Sequence, residues 1–95
     1  MSSLKGKNIL VTGATKGIGK EIVKYLFEEG AAVIGHYGRD KQSAEQLQRQ
    51  YPARLKLVMK DLTKPRAVEE LWQEALNCTG RIDVLVNNAG IYVAS

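Results

Sequence analysis

The segment Thr12-Gly13-Ala14-Thr15-Lys16-Gly17-Ile18-Gly19 constrains this chain more than any other, because it joins two opposite hydrophobic patterns. Before it lies the short apolar run Ile9-Leu10-Val11, which reads as a buried strand over Asn8 to Thr12. After it, Ile18, Ile22 and Leu26 recur at intervals of four with Val23 and Phe27 beside them, while Lys20, Glu21, Lys24 and Glu28 take the other side. That spacing predicts an amphipathic helix, which Gly30 ends. The glycines at the junction meet three demands. Gly13 permits a sharp turn out of the strand, Gly17 removes a side chain where backbone must approach a bound phosphate, and Gly19 lets the helix start lie close against the turn. First-turn amides of a helix lack intrahelical partners and carry partial positive charge, so such a junction attracts an anion. The same glycines could serve only as a tight turn and helix cap, but their place between a buried strand and an amphipathic helix favours a diphosphate. A P-loop is excluded: Gly19-Lys20 is followed by Glu21 where a magnesium-binding Ser or Thr is required, and the upstream glycine is out of place.

The same alternation runs to the end of the chain. Ala31 to Ile34 opens a second buried run ending Gly35-His36-Tyr37, and Asp40 can cap a helix through Tyr51 whose sparse stripe of Ala44, Leu47 and Tyr51 predicts a solvated element. Pro52 stops it. Leu55 to Met59 predicts a third strand with Leu57, Val58 and Met59 mostly buried, and Thr63 and Pro65 signal a third helix start. In that helix Val68, Leu71, Trp72, Ala75 and Leu76 share one face, which places Trp72 in core packing; Gly80 follows its end. Ile82 to Val86 predicts the fourth strand. The pattern is β-α-β-α-β-α-β, and its short right-handed crossovers require a parallel sheet. The expectation is an α/β fold, half of a doubly wound sheet, formed by residues 1–95 as one unit.

Composition narrows the classes of function. Ninety-five residues allow one small core, and neither a membrane span nor a signal segment is legible. Lys and Arg exceed Asp and Glu by 14 to 10, too diffuse an excess, with acids interleaved and only 6% aromatics, to predict nucleic-acid binding. The one cysteine, Cys78, has no disulfide partner and no metal-ligand spacing; it predicts a space-filling role near a helix end in a cytoplasmic protein with no metal. His36 reads as packing or as a neighbour of a bound nucleotide.

With these residues on the page, the chain resembles the amino-terminal, cofactor-binding portion of the short-chain dehydrogenases/reductases. The family's Thr-Gly-x-x-x-Gly-x-Gly motif is met by Thr12, Gly13, Gly17 and Gly19, and its Asn-Asn-Ala-Gly signature by Asn87, Asn88, Ala89 and Gly90. Its adenine-contacting acid after the third strand looks like Asp61, followed by Leu62. The resemblance implies a Rossmann-type sheet of strand order 3-2-1-4 and a nicotinamide dinucleotide bound by Gly13, Thr15, Lys16, Gly17, Ile18, Gly19, Tyr37, Arg39, Asp61, Leu62, Asn88, Ala89 and Gly90. The family's NAD-selecting aspartate aligns with Tyr37, so no acid stands at the end of the second strand to repel a 2′-phosphate. Arg39, with Lys16 and Thr15 nearby, can bind that phosphate, which favours NADP over NAD. Against this, Arg39 can be read as a solvated loop residue paired with Asp40 or a helix carboxylate, Asp61 as a helix-entry or turn residue ahead of Thr63, and Asn87 and Asn88 as partners of backbone groups.

The family's hydride transfer relies on a Ser and on a Tyr-x-x-x-Lys pair sharing a helix face. The one such string here, Tyr37-Gly-Arg-Asp-Lys41, lies after the second strand and is interrupted by Gly38, so no catalytic residue is assigned. Two functions remain open: the NADP(H)-binding part of a truncated oxidoreductase that does not turn over substrate by itself, or a complete non-catalytic dinucleotide-binding module. Val84, Leu85 and Val86 would leave an apolar edge on the fourth strand, through which the chain is expected to self-associate.

Overall fold

The computed structural model describes residues 3–88. Its elements run β1 (Asn8–Thr12), α1 (Gly17–Glu28), β2 (Ala32–Tyr37), α2 (Lys41–Gln50), β3 (Leu55–Met59), α3 (Ala67–Thr79) and β4 (Val84–Asn87). The four strands form one sheet, parallel as the alternation predicts, in the order β3-β2-β1-β4 that the family resemblance implies. Pairing of Ile9 with Val33 and Val84, and of Val11 with Gly35 and Val86, makes β1 an interior strand whose two faces are both covered.

Strand alternation divides the core into two layers. Ile9, Val11, Val33 and Leu55 pack with Val23, Leu26 and Phe27 of α1 and Leu47 of α2, whereas Leu10, Ile34 and Val58 pack with Leu71 and Ala75 of α3. One strand residue up and the next down is the two-residue period of a strand buried on both sides. Close sheet-to-turn packing also explains Gly35, where a Cβ would stand 3.1 Å from both Ala14 Cβ and Leu57 Cδ2.

Several local expectations are corrected by tertiary context. Ile18 is 73% exposed because the first turn of α1 projects past the end of β1, so the helix core face begins at Ile22 and Val23. Met59 is exposed at the end of β3, the edge strand. Val68 and Trp72 are exposed rather than in the core; with Leu10, Leu62, Leu71 and Leu85 they line a groove beside β4. Cys78 is also exposed and fills no interior space. The third helix begins at Ala67, not at Thr63, since the Thr63 hydroxyl and amide both donate to Asp61 Oδ1 and close a turn there instead of capping. Arg66 precedes the helix in the left-handed region, φ 66°, a conformation that favours glycine. The fourth strand starts at Val84 rather than Ile82 because Asp83 Oδ2 accepts the Asn8 amide at 2.8 Å, a side chain taking the place of a ladder carbonyl.

The two-layer core generates a test. Ile34→Ala, at a fully buried position, should lower unfolding free energy by about 2–5 kcal/mol, whereas Met59→Ala on the exposed edge should change it by less than about 1 kcal/mol, both read from urea midpoints.

Candidate functional site

At the carboxyl ends of β1, β2 and β3 the chain leaves a cavity of about 530 Å³, lined by residues of the β1–α1 turn, the end of β2, the start of α2 and the segment after β3. Open parallel sheets place their ligand crevices at this position. Gly13, Thr15, Lys16, Tyr37, Arg39, Asp61 and Leu62, all named from the sequence, converge on it. Gly17 and Ile18 lie outside it on a shallow surface with Lys20, Glu21, Ile22 and Tyr25. Ala89 and Gly90 lie outside the described residues.

The glycine turn is built by contacts that only glycine permits. Gly13 adopts φ +62° and Gly17 φ +54°, in the left-handed region, and a Cβ on Gly17 would meet no atom within 4 Å, so its backbone faces open space. A Cβ on Gly19 would collide with the Gly13 carbonyl oxygen and come within 2.7 Å of Asn88 Nδ2. Asn88 Nδ2 donates to that same carbonyl at 3.1 Å, and the Thr12 hydroxyl donates to Asn87 Oδ1 at 3.1 Å. The paired asparagines therefore tie β4 to β1 and its turn; Asn88 takes the backbone-satisfying role open to it from the sequence, whereas Asn87 is engaged here by a side-chain hydroxyl.

Helix α1 starts without a side-chain cap and without an acid in its first turn, whereas α2 is capped by Asp40, whose Oδ1 accepts the Ser43 amide at 3.0 Å. First-turn amides of α1 are thus left for another acceptor, and an anion supplies one. The open backbone at Gly17 and the uncapped amides fit the diphosphate of a dinucleotide.

Charges around the cavity are unevenly committed. Lys16 lies 3.5 Å from Asp40, whose carboxyl is held below the usual carboxylate range first by the Ser43 amide and hydroxyl. Lys60 pairs with Glu70 at 3.5 Å and with Glu74, the latter contact doing most to raise its pKa. Asp61 is likewise held ionised, chiefly by the Thr63 hydroxyl and amide. Arg39 forms no ion pair within 4 Å with another described residue; the paired arginine considered from sequence is not what folds, because Lys16 takes Asp40.

Five residues that line the cavity were not assigned to the site from sequence: Gly38, Asp40, Lys60, Thr63 and His36, the last read only as packing or as a neighbour of a bound nucleotide. His36 is 1% exposed, with Nδ1 accepting the Gly13 amide at 3.1 Å and Nε2 at 2.9 Å from the Lys60 carbonyl. A histidine inside a buried run, one residue beyond a strand position that pairs with Val11, was the available signal. Asp40 was legible as a helix cap, but its approach to Lys16 depends on how the β1–α1 and β2–α2 turns face each other. Tyr37 ends β2 and Lys41 begins α2, so this Tyr-x-x-x-Lys string shares no helix face.

Among the described residues no group of three His, Cys, Asp or Glu is placed to hold a metal, and no helix is long and apolar enough to cross a membrane. Residues 7–95 match the family model described as short chain dehydrogenase. The chain is 40% identical over 95 residues to an uncharacterized oxidoreductase of Methylorubrum extorquens, covering 97% of the chain and 38% of that relative. To 3beta-hydroxysteroid dehydrogenase 1 of Eggerthella lenta it is 36% identical, covering 97% and 36%. Among solved structures, a short-chain dehydrogenase/reductase from Serratia marcescens superposes with TM-score 0.82 at 33% identity, over 90% of this chain and 36% of that one. A 3-ketoacyl-(acyl-carrier-protein) reductase from Brucella melitensis, complexed with NADH, gives TM-score 0.78 at 34% identity, over 87% and 34%. The chain thus spans less than two-fifths of the length of these relatives. Its sheet order, its glycine turn and the family match over residues 7–95 agree: the chain belongs to the short chain dehydrogenase family.

Proposed function

We propose that residues 1–95 form an NADP(H)-binding Rossmann domain, the coenzyme-holding part of an oxidoreductase that moves hydride between a nicotinamide ring and a carbonyl or alcohol. The observation that carries this reading is a cavity lined by Gly13, Thr15, Lys16 and Arg39, the last without an ion pair within 4 Å among the described residues, next to which Gly17 and the uncapped start of α1 follow directly on Lys16. In this reading the amides at the start of α1 hold the diphosphate, Asn88 fixes the Gly13 turn beneath it, and Asp61 and Leu62 border the adenine. Ala89 and Gly90, which lie outside the described residues, are assigned to the coenzyme on the family signature alone.

Arg39 is the selector between the two coenzymes. Tyr37 stands where an acid would accept the ribose hydroxyls, and the cavity carboxylates Asp40 and Asp61 are already engaged, Asp40 by Ser43 and Lys16 and Asp61 by Thr63. A 2′-phosphate would meet the Arg39 guanidinium in a charge-assisted fork and would draw Lys16 and Thr15 toward it. The NADH in the Brucella melitensis reductase shows that a relative accommodates the other coenzyme, so the preference rests on this chain's own Tyr37 and Arg39.

Three outcomes test the proposal. NADPH should bind about tenfold or more tightly than NADH, and Arg39→Asp should remove that ratio or invert it, as read by fluorescence titration; unchanged selectivity rejects the role of Arg39. Gly19→Ala should weaken both coenzymes together and lower stability by about 1–3 kcal/mol in urea, because the new methyl must displace the Gly13 carbonyl. The apolar β4, with Val84 and Leu85 40% and 52% exposed, should pair with β4 of a second copy across a twofold axis, giving a dimer in sedimentation experiments on this 95-residue chain. A monomer at high concentration rejects that pairing.

A further inference from the structure

We propose that His36 is a positioning residue for the coenzyme site: its neutral ring holds the Gly13 turn in binding geometry, and protonating the ring releases the turn and weakens dinucleotide binding. The inference rests on reading the cavity as the dinucleotide site.

Two bonds define the state of the imidazole. The Gly13 N–H is a donor, so Nδ1, 3.1 Å away, must present a lone pair; the Lys60 carbonyl is an acceptor, so Nε2, 2.9 Å away, must carry the proton. One neutral tautomer satisfies both contacts. The His36 carbonyl also accepts the Ala14 amide at 2.8 Å, so successive residues of the turn hang on this one position of β2. An imidazolium would point a second proton from Nδ1 at the Gly13 N–H, setting donor against donor in a side chain that is 1% exposed.

The turn has little freedom to yield. Gly13 stands at φ +62°, its carbonyl accepts Asn88 Nδ2, and that carbonyl lies against Gly19 where no Cβ fits. Moving the Gly13 amide away from a protonated ring therefore disturbs the start of α1, where the diphosphate is proposed to sit.

The charged groups around the ring come from every element that meets there. Lys16 and Asp40 face each other from the β1–α1 turn and the start of α2, and Arg39 precedes Asp40. After β3, Lys60 is engaged by Glu70 and Glu74 of α3, and Asp61 is turned onto Thr63. No carboxylate among them bonds the ring, and burial lowers the His36 pKa below its ordinary value. The sign follows: a histidine with a depressed folded-state pKa binds fewer protons than in the unfolded chain. The formed turn is therefore favoured above the ordinary imidazole range, near pH ~6.5, and is progressively lost as pH falls below it.

NAD+ is the probe, because the 2′-phosphate of NADP would itself titrate near pH ~6. Its affinity should fall roughly tenfold between about pH 8 and pH 5, while imidazole 15N shifts report the Nε2–H tautomer and a pKa that NAD+ lowers further. His36→Asn keeps an acceptor near the Gly13 amide but cannot take up a proton, so its affinity should stay level across that range. His36→Leu should bind roughly tenfold more weakly at every pH. Failure of the unaltered protein to bind NAD+ at the upper pH overturns the coenzyme reading, and this inference with it. Binding that stays level while the ring titrates, or a ring protonated on Nδ1 in the neutral state, overturns the role of His36 alone.

Discussion

Everything in this fold converges on the peptide between Thr12 and Ala14, where an interior parallel strand must turn into a helix within a few residues. A parallel sheet delivers its strands with the same ends together, so the turns after β1, β2 and β3 gather at one edge. That turn holds its shape through four contacts: the Gly13 amide on His36, the Gly13 carbonyl on Asn88, the Ala14 amide on the His36 carbonyl, and Gly19 pressed against the turn. The partners come from three parts of the chain: His36 from β2, Asn88 from just past β4 and Gly19 from α1. The site is therefore a property of the assembled sheet and not of the glycine segment alone.

The energetic logic is a division of labour between the two faces of the sheet. Apolar burial on both sides of β1 and β2, shared among α1, α2 and α3, supplies the stability that lets the turn keep positive φ angles and leave amides uncapped. Where α2 and α3 meet water, ordinary devices suffice, such as the Asp40 cap and the left-handed Gly80 at the end of α3. Neither α1 nor α3 has a side-chain cap, but α3 carries Glu69 and Glu70 in its first turn, whereas α1 has neither cap nor acid and begins beside the crevice at Lys16. A helix start with neither cap nor first-turn acid, next to a crevice, marks where an anion is to complete the structure.

Charge is arranged in the same spirit. Lysines 16 and 60 and aspartates 40 and 61 are each engaged by a neighbour, which leaves Arg39 as the cavity cation without an ion pair within 4 Å among the described residues, although its charge reaches Asp61 at longer range. An arginine in that condition is a ready partner for a phosphate, since binding need not first break an ion pair. Lys16 differs, because drawing it toward a phosphate means parting it from Asp40.

The order of elements, the parallel sheet and the phosphate-suited glycine turn were legible in the amino-acid sequence, because each depends on local spacing: apolar runs of strand length, four-residue helical repeats and glycines at a junction; the strand order came only from the family resemblance, since local spacing does not say which strands become neighbours. Ile18, Met59, Val68 and Trp72 were misplaced for the complementary reason, since periodicity states which side of an element is apolar and says nothing of where the neighbouring element stops covering it. His36 and Asp40 acquired their site roles only in three dimensions: their partners Gly13, Lys60 and Lys16 lie 23 or 24 residues away in the chain and meet them solely because β1, β2 and β3 are laid side by side in register.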